Sequence, residues 1–317
     1  MKLKPKYKIV SFFIVVITVV ALCGLPLLSA KFDTIYIYTQ TQNPTSKEIG
    51  FINELKHLGY RVKVNHVAMP PQDSIGFWIK DSKFARKISS SQAKYNFLYT
   101  EEYYPIEWQG LKNIPIVLTP YKELYEHYIR SNIKSAEFDL GVNLAEFHMA
   151  PTEIKYSMIY YGDNNKNSPL ARLLEYNKNV KFLGNFWNEY DNVITPNDDR
   201  NSSVPEILRQ TKVVAVYEDQ NSYLSKKIPQ EIKEATASGA LVITPENSKV
   251  KEIYGDNIIT YSNVNEVPSI INHYMAKTNE NIVKDKVIKA HKITVEKASN
   301  KASALRFKKI LDWIKEY

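Results

Sequence analysis

Two glutamates stand in one stretch whose pattern predicts a helix followed by a buried strand. Glu234 lies in the predicted helix Gln230–Ser238, which Gly239 closes as a C-cap. The apolar run Ala240–Thr244 is short and partly β-branched, as buried parallel strands are. Because such a unit returns the chain to the same edge of a sheet, we expect Glu234 and Glu252 in one region beside a cleft. The plain alternative is an ordinary αβ unit with solvated glutamates.

A turn-rich loop that begins at Gly162 follows the predicted strand Lys155–Tyr161. Doubly wound sheets bind ligands at the carboxyl ends of their strands, and backbone N–H groups at the next helix start can hold a phosphate. The candidate cations for the same task are Lys166, Arg172, Lys226 and Lys227. Taken singly, each is also typical of a solvated surface. Together with the Gly162 loop they are candidates for binding a ligand that carries phosphate.

The order of helix, glycine, strand and later acidic residue resembles the donor-binding half of GT-B glycosyltransferases. There, a segment of the type E-A-x-A-x-G, a β-branched strand and an acidic residue bind a nucleotide sugar. Here these are Glu234–Gly239, Leu241–Ile243 and Glu252. The segment Ser135–Phe147 is similar to the inter-domain passage G-V-D-x-x-x-F of the GT4 type, with Asn143 in place of the usual Asp.

A second set of residues resembles the CgeB-like spore-protein glycosyltransferases in particular. The pattern is a strand, a glycine loop, a helix bearing an arginine, and then a strand and glycine followed by an aromatic pair. The matching residues are Gly162, Arg172, Gly184 and Trp187. The resemblance covers residues 110–275 and is strongest after residue 155.

The resemblance implies that a nucleotide-sugar donor binds in the second half of the chain, where Glu234 would accept hydrogen bonds from the ribose hydroxyls. The donor-binding residues that we predict are Gly162, Lys166, Arg172, Lys227, Glu234 and Glu252. Lys226 stands where GT4-type enzymes usually have the first glutamate of an E-x7-E pair. The binding of the donor sugar is therefore expected to differ from the family pattern at this position.

Transfer that inverts the anomeric centre needs a base to deprotonate the acceptor hydroxyl. In this fold class the base usually comes from the N-terminal domain. Glu101 and Glu102 directly follow a predicted strand and are the catalytic candidates, with solvent-facing carboxylates as the alternative; His66 is a weaker candidate. Asp198 and Asp199 are interpreted as a loop, and no metal site is predicted, since GT-B enzymes generally transfer without a metal.

Composition limits the classes of function. At 317 residues, 44% hydrophobic and 24% charged, the chain is globular and long enough for two cores. The net charge is +8, and residues 284–317 hold ten Lys or Arg against four Asp or Glu. The body is close to neutral, which argues against nucleic-acid binding.

Cys23 is the only cysteine. G-x-S-x-G, H-E-x-x-H and P-loop motifs are absent, which excludes common hydrolases and NTPases.

The segment Ile9–Ser29 carries no charge and is long enough to span a bilayer. Lysines precede it, so the positive-inside tendency predicts a single-pass signal-anchor with a cytoplasmic N-terminus and a membrane location. The alternative is a cleaved signal peptide, because Leu28–Ala30 loosely resembles a cleavage site.

The body consists of two successive runs of alternating strands and helices. The first opens with strand Asp33–Gln40, helix Ser46–Leu58 and strand Arg61–Val67, an order that favours a parallel sheet. We predict an α/β protein with two Rossmann-like domains, the GT-B architecture, after a transmembrane helix. The predicted parts are residues 1–30 as anchor, 31–147 as acceptor domain, 148–282 as donor domain and 283–317 as a C-terminal basic helix.

The sequence thus predicts a metal-independent glycosyltransferase without a cofactor, which moves a sugar from a nucleotide-sugar donor to a glycan or lipid-linked acceptor. One rival is an anchored or exported two-domain solute-binding protein. Another is a GT-B protein that binds sugar without transferring it, which Lys226 keeps open.

Overall fold

The computed structural model describes residues 33–79, 84–102, 114–163, 168–175, 177, 179–185, 187, 192–196, 203–216 and 226–316. Two six-stranded sheets follow each other along the chain, and every strand pairing in them is parallel. The predicted α/β class with parallel sheets is confirmed.

The first sheet has the strand order β2-β1-β3-β4-β5-β6. Its strands are β1 (Thr34–Tyr38), β2 (Arg61–Val64), β3 (Ser74–Ile79), β4 (Tyr95–Tyr99), β5 (Ile116–Thr119) and β6 (Ser135–Glu137). The helices between them are α1 (Ser46–His57), α2 (Phe84–Ser90) and α3 (Lys122–Arg130).

The second sheet has the order β12-β11-β10-β7-β8-β9. Its strands are β7 (Tyr156–Tyr161), β8 (Val180–Leu183), β9 (Val193–Ile194), β10 (Thr211–Ala215), β11 (Leu241–Pro245) and β12 (Ile259–Tyr261). The helices of this half and the chain end are α4 (Pro169–Glu175), α5 (Val204–Arg209), α6 (Gln230–Ala237), α7 (Ser248–Tyr254), α8 (Val267–Met275), α9 (Glu280–Ile293) and α10 (Asn300–Glu316). The strand order is that of a doubly wound fold, which places the ligand crevice at the point where β7 adjoins β10.

Helix α1 begins with a capping box. The backbone N–H of Thr45 donates to the Glu48 carboxylate over 2.6 Å, and the Thr45 hydroxyl donates to the same oxygen over 2.9 Å. The N-cap is therefore Thr45, directly before Ser46, where the sequence predicted the helix to begin. This start fixes the turn after β1, at the carboxyl edge of the first sheet.

Strand β3 lies between β1 and β4, and all six of its residues are buried. Gly76 makes room within it, because a Cβ there would stand 2.5 Å from the Asn96 side-chain oxygen. That oxygen accepts a hydrogen bond from the Trp78 indole over 3.1 Å, which satisfies a buried polar group beside the strand.

The basic end of the chain is two helices, so the prediction of one continuous helix over residues 283–317 is wrong. Helix α9 packs with the second sheet, and a π-helical turn at Thr294–Ala298 leads to Ser299, which is extended. Helix α10 then packs on the first sheet, where Phe307 contacts Phe97 at a centroid distance of 4.9 Å. The last helix therefore completes the core of the N-terminal half.

The chain passes between the two halves twice, and the passages lie side by side. The N–H of Val142 donates to the Ala298 carbonyl over 2.9 Å, and the N–H of Asn300 donates to the Val142 carbonyl over 3.0 Å. A Cβ on Gly141 would stand 2.1 Å from the backbone of Ser299. We call residues 138–147 and 294–300 the double crossing. The exact domain bounds stay a prediction.

The predicted single-pass membrane location is corrected. In the described part of the chain, no helix is long and apolar enough to cross a bilayer. The segment Ile9–Ser29, on which the prediction rested, lies outside the described residues.

Candidate active site

A cleft separates the carboxyl edges of the two sheets, and four ion pairs span it. In each pair the carboxylate belongs to the first half of the chain and the lysine to the second. The pairs are Lys226–Glu123 at 3.0 Å, Lys227–Glu101 at 3.3 Å, Lys233–Asp139 at 2.5 Å and Lys249–Glu137 at 2.8 Å. The cleft therefore has an acidic wall and a basic wall, and only the basic wall suits an anionic ligand.

Glu234 lies on α6, on the side of the second sheet that faces the crevice. Its carboxylate accepts a hydrogen bond from the Tyr161 hydroxyl at the end of β7 and another from the Gln230 amide over 3.1 Å. Burial raises the pKa of the Glu234 carboxyl to about 7, although both hydrogen bonds act in the opposite direction. Burial and the nearby carboxylate also raise the pKa of the Tyr161 hydroxyl, so that it stays a donor.

The turn after β7 is built by two glycines that touch. Gly162 has φ +146° and Gly184 has φ +143°, and a Cβ on Gly184 would stand 2.1 Å from the Gly162 carbonyl oxygen. That oxygen accepts a hydrogen bond from the Trp187 indole over 2.8 Å, and the Gly162 N–H donates to the Leu183 carbonyl. Since its own N–H is already bonded, Gly162 shapes the loop rather than donating to a ligand.

Glu101 lies in the middle of the cleft, directly beyond β4. Lys47 of α1 and Lys227 both donate to its carboxylate, as does the Tyr99 hydroxyl over 2.8 Å. Only 9% of the Glu101 side chain is exposed, whereas the neighbouring Glu102 is exposed. Of the two predicted bases, Glu101 alone therefore contacts both walls of the cleft.

The comparisons with known proteins agree with this geometry. Residues 167–305 match the family model of a glycosyl transferase-like domain. HepE of Anabaena in complex with UDP-glucose has a TM-score of 0.60 at 11% identity, over 88% of this chain and 99% of that one. A glycosyltransferase of Rickettsia africae reaches 0.61 at 12%, over 88% and 98%. This chain has the GT-B fold.

An E. coli trehalose-6-phosphate protein bound with UDP-2-fluoro glucose has a TM-score of 0.62 at 8% identity, over 88% of this chain and 99% of that one. No curated protein sequence matches the chain. The predicted resemblance to GT-B glycosyltransferases is confirmed, and the CgeB-like assignment stays a prediction. At these identities the solved structures establish the fold alone.

The other predicted site residues of this GT-B chain are dispersed. Arg172 is exposed on α4, and Lys166 lies outside the described residues. Glu252 is on α7, where it pairs with Lys249, and no contact of the described residues joins it to Glu234. The expected convergence of Glu234 and Glu252 on one ligand stays a prediction.

Three polar residues of the cleft were missed from the sequence. Lys47 follows β1 at the start of α1, so its place at a strand's carboxyl edge was a usable signal. Asp139 and the buried Lys233 pair across 94 residues of chain, and the Lys233 ammonium also donates to the Leu140 carbonyl over 2.9 Å. No local pattern indicates such a pair. The GT-B cleft holds no group of three or more His, Cys, Asp or Glu side chains placed for a metal, as far as its residues are described.

Proposed function

We propose that the protein is a glycosyltransferase that uses a nucleotide-activated sugar. The observation that carries this proposal is Glu234, a mostly buried carboxyl group on α6 that contacts Tyr161 beside the Gly162 turn. A carboxylate in such a crevice suits the two neighbouring hydroxyls of a ribose. HepE and the E. coli relative bind UDP-sugars, which supports a uridine diphosphate sugar as donor here.

The basic wall supplies charge for the donor diphosphate. Lys227 lies where the chain enters α6, and its present partner is the Glu101 carboxylate. A diphosphate carries more negative charge than one carboxylate, so it competes for this ammonium group. Because lysine charge can take the place of a cation at the leaving diphosphate, we propose that transfer needs neither a metal nor a cofactor.

Release of Lys227 would remove one of the donors that now bond the Glu101 carboxylate. This carboxylate lies in the cleft between the two walls, where an acceptor hydroxyl must approach the donor sugar. We assign to Glu101 the removal of the acceptor proton and to the first half of the chain the binding of the acceptor. A glycan or lipid-linked hydroxyl remains the proposed acceptor class.

Replacing Glu234 by Ala tests the donor site. Because charge-assisted hydrogen bonds to the ribose are lost, we expect UDP binding to weaken by roughly 1–3 kcal/mol in calorimetry. Glu280→Ala, which removes an exposed carboxylate of α9, is the matched control and should bind UDP as the wild type does. Equal UDP affinity in a folded Glu234→Ala protein would refute the donor site, and a panel of UDP-, GDP- and CMP-sugars identifies the nucleotide.

Replacing Glu101 by Gln tests the base. The amide keeps the shape of the side chain but cannot accept a proton, so sugar transfer should fall by about 100-fold or more while UDP still binds. Transfer is measured as UDP release in the presence of acceptor, with and without a chelator. Unchanged transfer in Glu101→Gln, or its loss on chelation, would contradict the assignments made above.

A second candidate function is nucleotide-sugar binding without transfer. It is favoured by Lys226, which pairs with Glu123 across the cleft where related enzymes usually have a carboxylate for the donor sugar. This candidate predicts that UDP-sugars bind but that no UDP is released with any acceptor.

A further inference from the structure

A cavity of about 190 Å³ lies in the cleft, against the double crossing. The part of its wall that belongs to the crossing segments is formed by Phe138, Asp139, Leu140, Gly141, Lys297 and Ala298. Residues of β6, α6, α7 and α10 form the rest together with Pro120, Lys227 and Ile228, so both halves of the chain contribute to it. We call it the hinge cavity. It is smaller than the roughly 300–1,000 Å³ of a pocket for a drug-sized ligand, and it suits a small ion or a compact monoester.

The wall of the hinge cavity is rich in cations. Its charged residues are the cations Lys227, Lys233, Lys249, Lys297 and Arg306 and the carboxylates Glu137, Asp139 and Glu252. Five positive groups thus face three negative ones. Such an excess around a concave site favours an anionic occupant, because low-dielectric walls concentrate the field.

The three carboxylates of the cavity wall already form ion pairs with two of these cations. Lys249 pairs with both Glu137 and Glu252, and Lys233 pairs with Asp139. Lys227 pairs with Glu101, which does not line the cavity. For the remaining two cations the situation differs. Neither Lys297 nor Arg306 has an ion pair with any residue that the structure describes. The cavity charge that no described carboxylate compensates therefore lies at these two side chains, both of which are exposed.

The hinge cavity is a different place from the donor crevice. Glu234, Tyr161 and Gly162 do not line it, and of the predicted donor residues only Lys227 and Glu252 do. A nucleotide that contacts Glu234 thus provides no ion-pair partner for Lys297 and Arg306. Lys227, which we assign to the donor diphosphate, also lines the cavity, so the two sites adjoin each other.

We propose that the hinge cavity binds a phosphate group, held by Arg306, Lys297 and Lys249. An arginine guanidinium can donate two parallel hydrogen bonds to phosphate oxygens, and the ammonium groups add charge. The occupant is inorganic phosphate or the phosphate of a small monoester. Since α7, α10 and the double crossing all border the cavity, the anion ties the two halves of the chain together.

Thermal unfolding at constant ionic strength tests the proposal, with inorganic phosphate and glucose 6-phosphate as probes and chloride as the reference. Both probes should raise the melting temperature of the full chain. In the double variant Lys297→Gln, Arg306→Gln, the concentration needed for half of the shift should rise by roughly tenfold or more. The double variant Lys284→Gln, Lys301→Gln removes two exposed lysines outside the cavity and should respond as the wild type does.

Competition with UDP separates this site from the donor site. The shifts from phosphate and UDP should add, and the Lys297→Gln, Arg306→Gln variant should keep its UDP shift. A phosphate shift that UDP abolishes, or one that both double variants lose equally, overturns the proposal. Absence of any UDP binding refutes the proposed function without affecting the phosphate result. Tighter binding of glucose 6-phosphate assigns the cavity to a monoester, and equal binding assigns it to the free ion.

Discussion

Glu234 shows how burial prepares a carboxyl group for a ligand. The pKa of this group is raised to about 7, chiefly because the protein displaces the water that would stabilise its charge. Its partners Tyr161 and Gln230 are hydrogen-bond donors that favour the charged form without restoring full solvation. Hydroxyl groups of a ribose would add further donors, so donor binding and ionisation of Glu234 should support each other.

The raised pKa makes the stability of the free protein depend on pH. A free glutamate titrates near 4.5 and Glu234 in the folded protein near 7, so the folded state binds more protons between these values. The free energy of unfolding should therefore fall as the pH rises through this window, by roughly 3 kcal/mol in total, and then level off. Glu234→Gln should lose this slope in urea unfolding between pH 4.5 and 8, whereas Glu280→Gln should keep it. The same slope in both variants would show that Glu234 is ionised throughout.

The elements that carry the site begin and end for local reasons, and these were predictable. The sequence predicted α6, its stop before Gly239 and the buried strand β11 within one residue at either end. Strand β3 was missed, although all of its residues are buried. Its polar first residue and Gly76 interrupt the apolar pattern, and the remaining apolar run is too short to indicate a strand. The break at Ser299 was missed as well. Its cause is tertiary, since the extended backbone there pairs with Val142 more than 150 residues away.

The same limit applies to the site. Glu101 was predicted from its place after a strand, and Lys227 and Glu234 with the help of the resemblance to GT-B enzymes. The structure sets the first two in the cleft and Glu234 at the crevice. Lys233 and Asp139 were not predicted, because a pair that joins two domains leaves no periodic signal in either segment. Residues that lie at the ends of strands and helices can be predicted from the local sequence. Which residue pairs with them across the cleft depends on how the two folded domains pack against each other.

The close contact of the double crossing can be tested at Gly141. A methyl group there would meet the Ser299 carbonyl carbon at 2.1 Å, and backbone on both sides cannot yield as a side chain can. Gly141→Ala should therefore lower the free energy of unfolding by about 3 kcal/mol. Gly255→Ala is the control, because no atom lies within 4 Å of its Cβ and only its φ of +56° costs about 1 kcal/mol. Equal losses in urea unfolding would mean that the two passages are not packed together.

The whole molecule is divided by charge as well as by fold. The carboxylates of the four cross-cleft pairs all lie in the first half, so without a donor the acidic wall satisfies the lysines of the basic wall. The pairs differ in exposure, with 39% and 48% of the side chains exposed in Lys226–Glu123 but 20% and 9% in Lys227–Glu101. Salt screens the exposed pair far more than the buried one. The buried pairs therefore determine whether the cleft stays closed.

Neutralising the acidic wall should open the cleft and strengthen donor binding together. In Glu101→Gln, Glu137→Gln, the ammonium groups of Lys227 and Lys249 lose these carboxylates across the cleft, and the Lys47–Glu101 ion pair within the first half is lost as well. We expect a larger radius of gyration in small-angle X-ray scattering and tighter UDP binding by roughly 0.5–1 kcal/mol, since a diphosphate no longer has to displace a carboxylate. Glu123→Gln, at the exposed pair, should change neither quantity. An unchanged radius with unchanged affinity would show that the walls do not hold the cleft closed, because a pair that restrains the domains must affect both.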